Sequence, residues 1–171
     1  MTTLRIRPFD TADTESVVAL WREAGLTRPW NDPYRDIERK LTVQPELFLV
    51  AVREERVCGS VMAGYDGHRG WLYYLAVDPA DGGTGIGRRL VREAEERLSA
   101  MGCPKVQLMV RPENARARGF YAALGYGDVD TWVTGKRLIA DEPAPPRPAR
   151  RLAACRARSR SPRATEPGTT S

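Results

Sequence analysis

The chain has 171 residues, 42% of them hydrophobic, and a formal net charge of +5, which suits one ordinary domain with a real core. Its longest uninterrupted apolar run, LFLVAV at Leu47–Val52, is far too short to span a bilayer, and MTTLRIRPFD lacks the apolar centre of a signal segment, so no membrane partner is expected. Three cysteines (Cys58, Cys103, Cys155) and the lone His68 have no CxxC or metal-ligand spacing, which argues for reduced thiols, a cytoplasmic location and no metal.

The charge is unevenly spread. Residues 1–141 hold 20 Lys+Arg and 20 Asp+Glu, whereas 142–171 hold seven Arg against two Glu and six of the thirteen prolines. A segment so composed cannot bury enough apolar surface to offset its ordering entropy. The expected organisation is a neutral domain over 1–141 and a disordered basic tail over 142–171.

In chain order, LRIRPF (Leu4–Phe9) alternates apolar and basic residues as a first strand does. Asp10 or Thr11 caps a helix with Val17, Leu20, Trp21 and Ala24 on one face, ending at Gly25. Asp32 and Pro33 suit the N-cap and first position of a second helix, striped by Tyr34, Ile37 and Leu41. LFLVAV, VCGSVMAGY and WLYYLAV (Trp71–Val77) follow as three strands joined by the turns REER and DGHRG. The stretch VDPADGGTGIGRRL then leads into a helix with Leu90, Val91, Ala94, Leu98 and Met101 at helical spacing. KVQLMV (Lys105–Val110) is a fifth strand, Asn114–Leu124 a short helix, and YGDVDTWVTGKRL supplies one or two final strands.

Gly82, Gly83, Gly85 and Gly87 sit where a strand gives way to a helix. A helix start offers unpaired N–H groups and the positive end of the macrodipole, and glycine lets a bulky anion approach that backbone. Arg88 and Arg89 oppose the dipole there but are well placed to meet phosphate. There is no Gly-Lys-Ser/Thr and no amino-terminal βαβ unit, which argues against a P-loop and a Rossmann site. On the glycines alone, a merely flexible loop remains an alternative.

A second pattern follows about thirty residues later, PENARARGFYAALGY (Pro112–Tyr126), which reads Asn-x-x-Ala-x-x-Phe-Tyr-x-x-x-Gly-Tyr. Together with the glycine turn it resembles the GNAT superfamily of acyl-CoA-dependent N-acyltransferases, over about residues 4 to 140 and in that family's order of elements. RPWNDPYRDIERK (Arg28–Lys40), AGYDGHRG (Ala63–Gly70) and GKRLIADE (Gly135–Glu142) are similar to the bacterial YpeA subgroup.

The resemblance implies an α+β fold. It has a mixed, mostly antiparallel sheet of about 6–7 strands, splayed between the fourth and fifth, with about four helices. It implies acetyl-CoA as cosubstrate, its diphosphate held by Gly82, Gly83, Thr84, Gly85, Ile86, Gly87 and Arg88. Its pantetheine arm would lie along Leu75, Ala76 and Val77 and touch Asn114. Tyr121 matches the general acid beside the sulfur. The family pattern carries Gln or Arg where Gly82 stands, and Asp81 precedes it; the glycine adds slack and Asp81 a negative charge near phosphate, so weaker cofactor binding is expected.

Many relatives carry a base Glu on the fourth strand, where WLYYLAV has none. Asp66 and His68 in the preceding turn, or Tyr73 and Tyr74 through water, are the candidates, although Asp66-Gly67 is also an ordinary turn pair. Trp30, Asn31, Asp32 and Tyr73 would face the amine acceptor. The expected function is acetyl transfer to a primary amine, by a monomer or homodimer; the alternative is a catalytically weak acyl-CoA sensor or interaction domain. The tail lacks aromatic residues for stacking and is read as a solvated extension, not a nucleic-acid contact.

Overall fold

Phe48–Arg53 forms β2, whose first five residues are all buried; a strand covered on both faces reads as a continuous apolar run. The computed structural model describes residues 3–141, so the basic tail lies outside the described residues. With β1 (Arg5–Pro8), β3 (Arg56–Tyr65), β4 (Gly70–Val77) and β5 (Val106–Leu108), β2 builds one sheet in the order β1-β2-β3-β4-β5. The first three pairings are antiparallel and β4–β5 is parallel.

Helices α1 (Thr14–Glu23) and α2 (Pro33–Leu41) cover one face, where Val17, Val18, Trp21 and Ile37 meet Phe48, Val50, Met62 and Ala76. Helix α3 (Ile86–Ala100) covers the other, with Leu90, Val91, Ala94 and Leu98 against Leu49, Ala51, Val61 and Leu72. Asp32 caps α2 as expected, accepting the Tyr34 N–H at 2.9 Å with Pro33 at the first helical position. The short α4 (Ala115–Ala122) has no fully buried residue, but its Phe120 and Tyr121 pack on the rim of the α3 core.

A buried hydroxyl joins the α1 side to the sheet. Ser60 accepts the Trp21 indole N–H at 2.9 Å and donates to the Tyr74 carbonyl at 3.2 Å. Ser60→Ala leaves that indole donor buried without an acceptor, so a loss of about 1–3 kcal/mol is expected in urea unfolding. A change below about 0.5 kcal/mol would show that this bond contributes little.

The strand count needs correction: five strands stand where six or seven were expected, and no strand follows α4 among the described residues. The alternation in GDVDTWVTGKRL is real, yet Trp132 is 97% exposed and Leu138 87% exposed. A strand needs a partner for its ladder, and this segment crosses to α2 instead. There Arg137 donates to Asn31 at 2.9 Å and the Asp141 carboxylate pairs with Arg39.

Candidate active site

β5 pairs with β4 only over Gly70, Trp71 and Leu72. Beyond Leu72 the two strands have no paired residues, so β4 presents an open edge from Tyr73 to Val77 on that side among the described residues. The splay expected between the fourth and fifth strands is therefore present. On the opposite edge the β3 register slips: Ser60 faces Ala76 while Met62 faces Tyr73. This bulge carries Tyr74 at φ 52°, a left-handed conformation rare for an aromatic residue, and such strain concentrates at functional sites. Leu72 and Leu75 both face α3, so the extra residue puts Tyr73 and Tyr74 together on the α1–α2 side. Simple alternation would have set those tyrosines on opposite faces.

Between β4 and α3 the chain makes a single 3-10 turn at Pro79–Asp81 and then the glycine turn. The Gly82 and Thr84 N–H groups bond within it, to Pro79 and Asp81 carbonyls at 3.1 and 3.3 Å. Arg89 N–H to Gly85 C=O opens the helical ladder at 3.1 Å. The N–H groups of Gly83, Gly85, Ile86, Gly87 and Arg88 thus have no backbone acceptor among the described residues, an arrangement that fits a phosphate-ended ligand. Gly85 is the N-cap at φ 84°, and a Cβ there would enter open space. Gly87 serves packing instead: a Cβ on it would lie 3.3 Å from the Phe120 ring and 3.5 Å from Val77. That contact brings α3, α4 and the end of β4 to one corner.

Asp81 does not face this corner freely. Its side chain, 5% accessible, is held by Arg53 at 2.5 Å and Arg56 at 2.6 Å, both from the β2–β3 hairpin. Arg56 also pairs with Asp78. The negative charge expected to oppose phosphate is neutralised by two guanidinium groups and ties the turn to the sheet.

Tyr121 sits on α4 one residue beyond Phe120, packed edge-on between the Phe120 and Tyr126 rings at 5.1 and 5.5 Å. Burial pushes its phenol up to about 12, and its hydroxyl has no hydrogen-bond partner among the described residues. Asn114 caps α4, its side-chain oxygen accepting the Ala117 N–H at 3.0 Å.

Asp66 accepts the His68 and Arg69 N–H groups at 2.8 and 2.6 Å and the Trp71 indole at 3.3 Å, and these contacts hold its carboxyl below the usual range. It belongs to the turn before β4, beside the paired end of that strand, and exposed His68 lies there too.

On the α1–α2 side, Tyr73 is 44% exposed and Trp30 54% exposed, while Asp32 is buried as a cap. The residue missed there is Asp36. It accepts the Tyr74 hydroxyl at 2.6 Å, and burial followed by this bond drives the Tyr74 phenol far above its ordinary range. Tyr74 also stacks on Trp21 at 4.0 Å, and Asn31 lies beside its hydroxyl. The adjacent Tyr-Tyr pair and the Asp36-x-x-Arg39 spacing were the only hints in the sequence, and neither showed that α2 comes within hydrogen-bond reach of β4.

An open strand edge running toward a helix start with free amides defines a site for an extended ligand ending in an anion. The model of the acetyltransferase (GNAT) family matches residues 14–126. An acetyltransferase of Yersinia enterocolitica is 50% identical over 139 residues, covering 81% of this chain and 99% of the relative. One of Pectobacterium atrosepticum is 51% identical over 138 residues, covering 81% and 98%. Among solved structures, the aminoglycoside N-acetyltransferase AAC(6')-Iy in complex with CoA aligns with a TM-score of 0.68 at 17% identity, covering 81% of this chain and 97% of that one. The ribosomal-protein-S18-alanine N-acetyltransferase from Escherichia coli gives 0.63 at 22%, covering 74% and 79%. The chain belongs to the acetyltransferase (GNAT) family and is an acyltransferase. No helix among its described residues is long and apolar enough to cross a membrane.

Proposed function

We propose that the chain transfers the acetyl group of acetyl-CoA to a primary amine, by direct attack with both substrates bound, in the cytoplasm and as a monomer or homodimer. The observation that carries this is the open β4 edge from Tyr73 to Val77 ending at the unpaired amides of the glycine turn. Gly83 and Gly85–Arg88 would take the diphosphate, Leu75–Val77 the pantetheine arm, and Asn114 its side.

An alkyl ammonium of pKa near ~10.4 is neutral in only about one molecule in a few thousand at pH 7, so the acceptor must shed a proton before it attacks. Asp66 and His68, at the paired end of the strand, are poorly placed to take it, and water carries it off. The neutral nitrogen then bonds to the thioester carbon, while the Ala76 or Val77 N–H receives the charge growing on oxygen. The carbon–sulfur bond breaks as Tyr121 gives its proton to sulfur. Tyr121 regains one through water from the nitrogen, so amine and thioester yield amide and free thiol.

Calorimetry with CoA and thiol release from acetyl-CoA with an amine panel test this reading. Gly85→Val is expected to cost about 1–2 kcal/mol of stability through its left-handed backbone. It should weaken CoA binding at least about tenfold, because its side chain enters the ligand's space. No heat with CoA, or undiminished affinity in the variant, would remove the diphosphate site and the activity with it.

A further inference from the structure

The residues after α4 fold back over α2 and bring cations to the acceptor side. Arg39, Lys136 and Arg137, with Gly135, Leu138 and Ile139, line an open cavity of about 570 Å³. Two carboxylates pair with Arg39. Asp36 meets Arg39 at 3.3 Å, and Asp141 is held by Arg39 and by the Asp32 N–H. Arg137 contributes to the field that keeps the Asp141 carboxyl low, but its hydrogen bond goes to the neutral Asn31 amide. Lys136 is exposed and has no acidic partner among the described residues. Among the described residues, Lys136 therefore brings to the cavity a positive charge with no acidic partner.

Its position gives that charge a use. One Asp36 oxygen accepts the Tyr74 hydroxyl at 2.6 Å and the other meets Arg39 at 3.3 Å. A single carboxyl group thus separates the cavity from the strained tyrosine at the mouth of the open strand. We propose that the acceptor is a small primary amine carrying an anionic group, a carboxylate or a phosphate, which the Lys136–Arg137 side of this cavity receives while the amine reaches β4. Guanidinium and ammonium groups recognise such oxyanions by charge-assisted hydrogen bonds, and a polycationic acceptor is repelled by the same charge. The amine end of the proposal rests on the acetyl-transfer reading; the anion end rests on the cavity alone.

The test uses three amines of equal chain length: an ω-amino carboxylate, an ω-aminoalkyl phosphate and the plain alkylamine. Each is titrated calorimetrically into full-length protein, with and without saturating CoA, so that binding is read without turnover. At least one anionic amine is expected to bind about tenfold or more tightly than the alkylamine, with an advantage that shrinks as salt rises. Lys136→Ala combined with Arg137→Ala should erase the advantage and leave CoA affinity unchanged. Equal binding of all three amines overturns the proposal, as does an advantage that survives the double variant. If CoA fails to bind, the acetyl-transfer reading falls separately, and the CoA-free titrations still read the anion preference.

Discussion

Tyr121→Phe is expected to lower kcat by about 10²-fold, the low end of what a positioned general acid contributes, because a thiolate leaves tolerably well unaided. The variant is a clean one. The hydroxyl bonds to no described residue, and the ring keeps its edge contacts with Phe120 and Tyr126, so stability should shift by less than about 0.5 kcal/mol. KM for acetyl-CoA should barely move, because a group acting only as the sulfur departs adds little to ground-state binding. The pH profile gives an independent check. With the phenol raised to about 12 by burial, Tyr121 stays protonated across the working range, whereas the acceptor amine gains reactivity as it loses its proton. Wild-type kcat/KM should therefore climb from about pH 6 toward pH 10 without a falling limb, and the variant should run parallel below it. A variant as active as wild type would take the acid role from Tyr121. A wild-type fall near pH 10 that the variant lacks would mean the phenol titrates in an ordinary environment.

The second large effect concerns Asp81, where two readings differ in sign. If its carboxylate repelled phosphate, Asp81→Asn would tighten CoA binding. In the structure the carboxylate instead bridges Arg53 and Arg56 and holds the turn that presents the free amides. Removing one partner of a buried ion pair costs about 3–5 kcal/mol. Arg53 and Arg56 are 31% and 50% accessible, so water compensates them in part, and about 2–3 kcal/mol is expected in chemical unfolding. CoA should bind about tenfold more weakly, with the acceptor KM unchanged, because only the glycine turn loses its anchor. Tighter binding in the variant would restore the repulsive reading. Arg56→Gln, which leaves the Arg53 contact in place, should fall between wild type and Asp81→Asn in both measurements.

These two sites also mark how far the sequence could be read. The glycine turn was legible because closely spaced glycines before an amphipathic helix have few structural uses, and the asparagine-to-tyrosine pattern of α4 fixed its partner. The order of strands and helices, the capping by Asp32 and the opening beside the fourth strand followed from periodicity and from the family resemblance. Asp81 could not be judged in this way. Its two partners come from Arg53 and Arg56, more than twenty residues earlier, and local sequence carries no record of which way a carboxylate turns.

The same distinction separates the two ends of the proposed site. The proposed cofactor end depends on backbone amides and on residues close together in the chain, so local chemistry was enough to point to it. The acceptor end is assembled from α2, the β4 bulge and the segment after α4. One inserted residue turns Tyr74 toward Asp36, and the failure of residues 127–138 to pair as strands lets Lys136 and Arg137 arrive beside Arg39. A register slip and an unpaired strand candidate are settled by competition among distant partners for hydrogen bonds and buried area, which no window of sequence contains. By itself the sequence determined where the glycine turn opens α3 and which family the chain belongs to. Only the tertiary structure decided which charges gather beside Arg39, because those charges become neighbours only when the chain is folded.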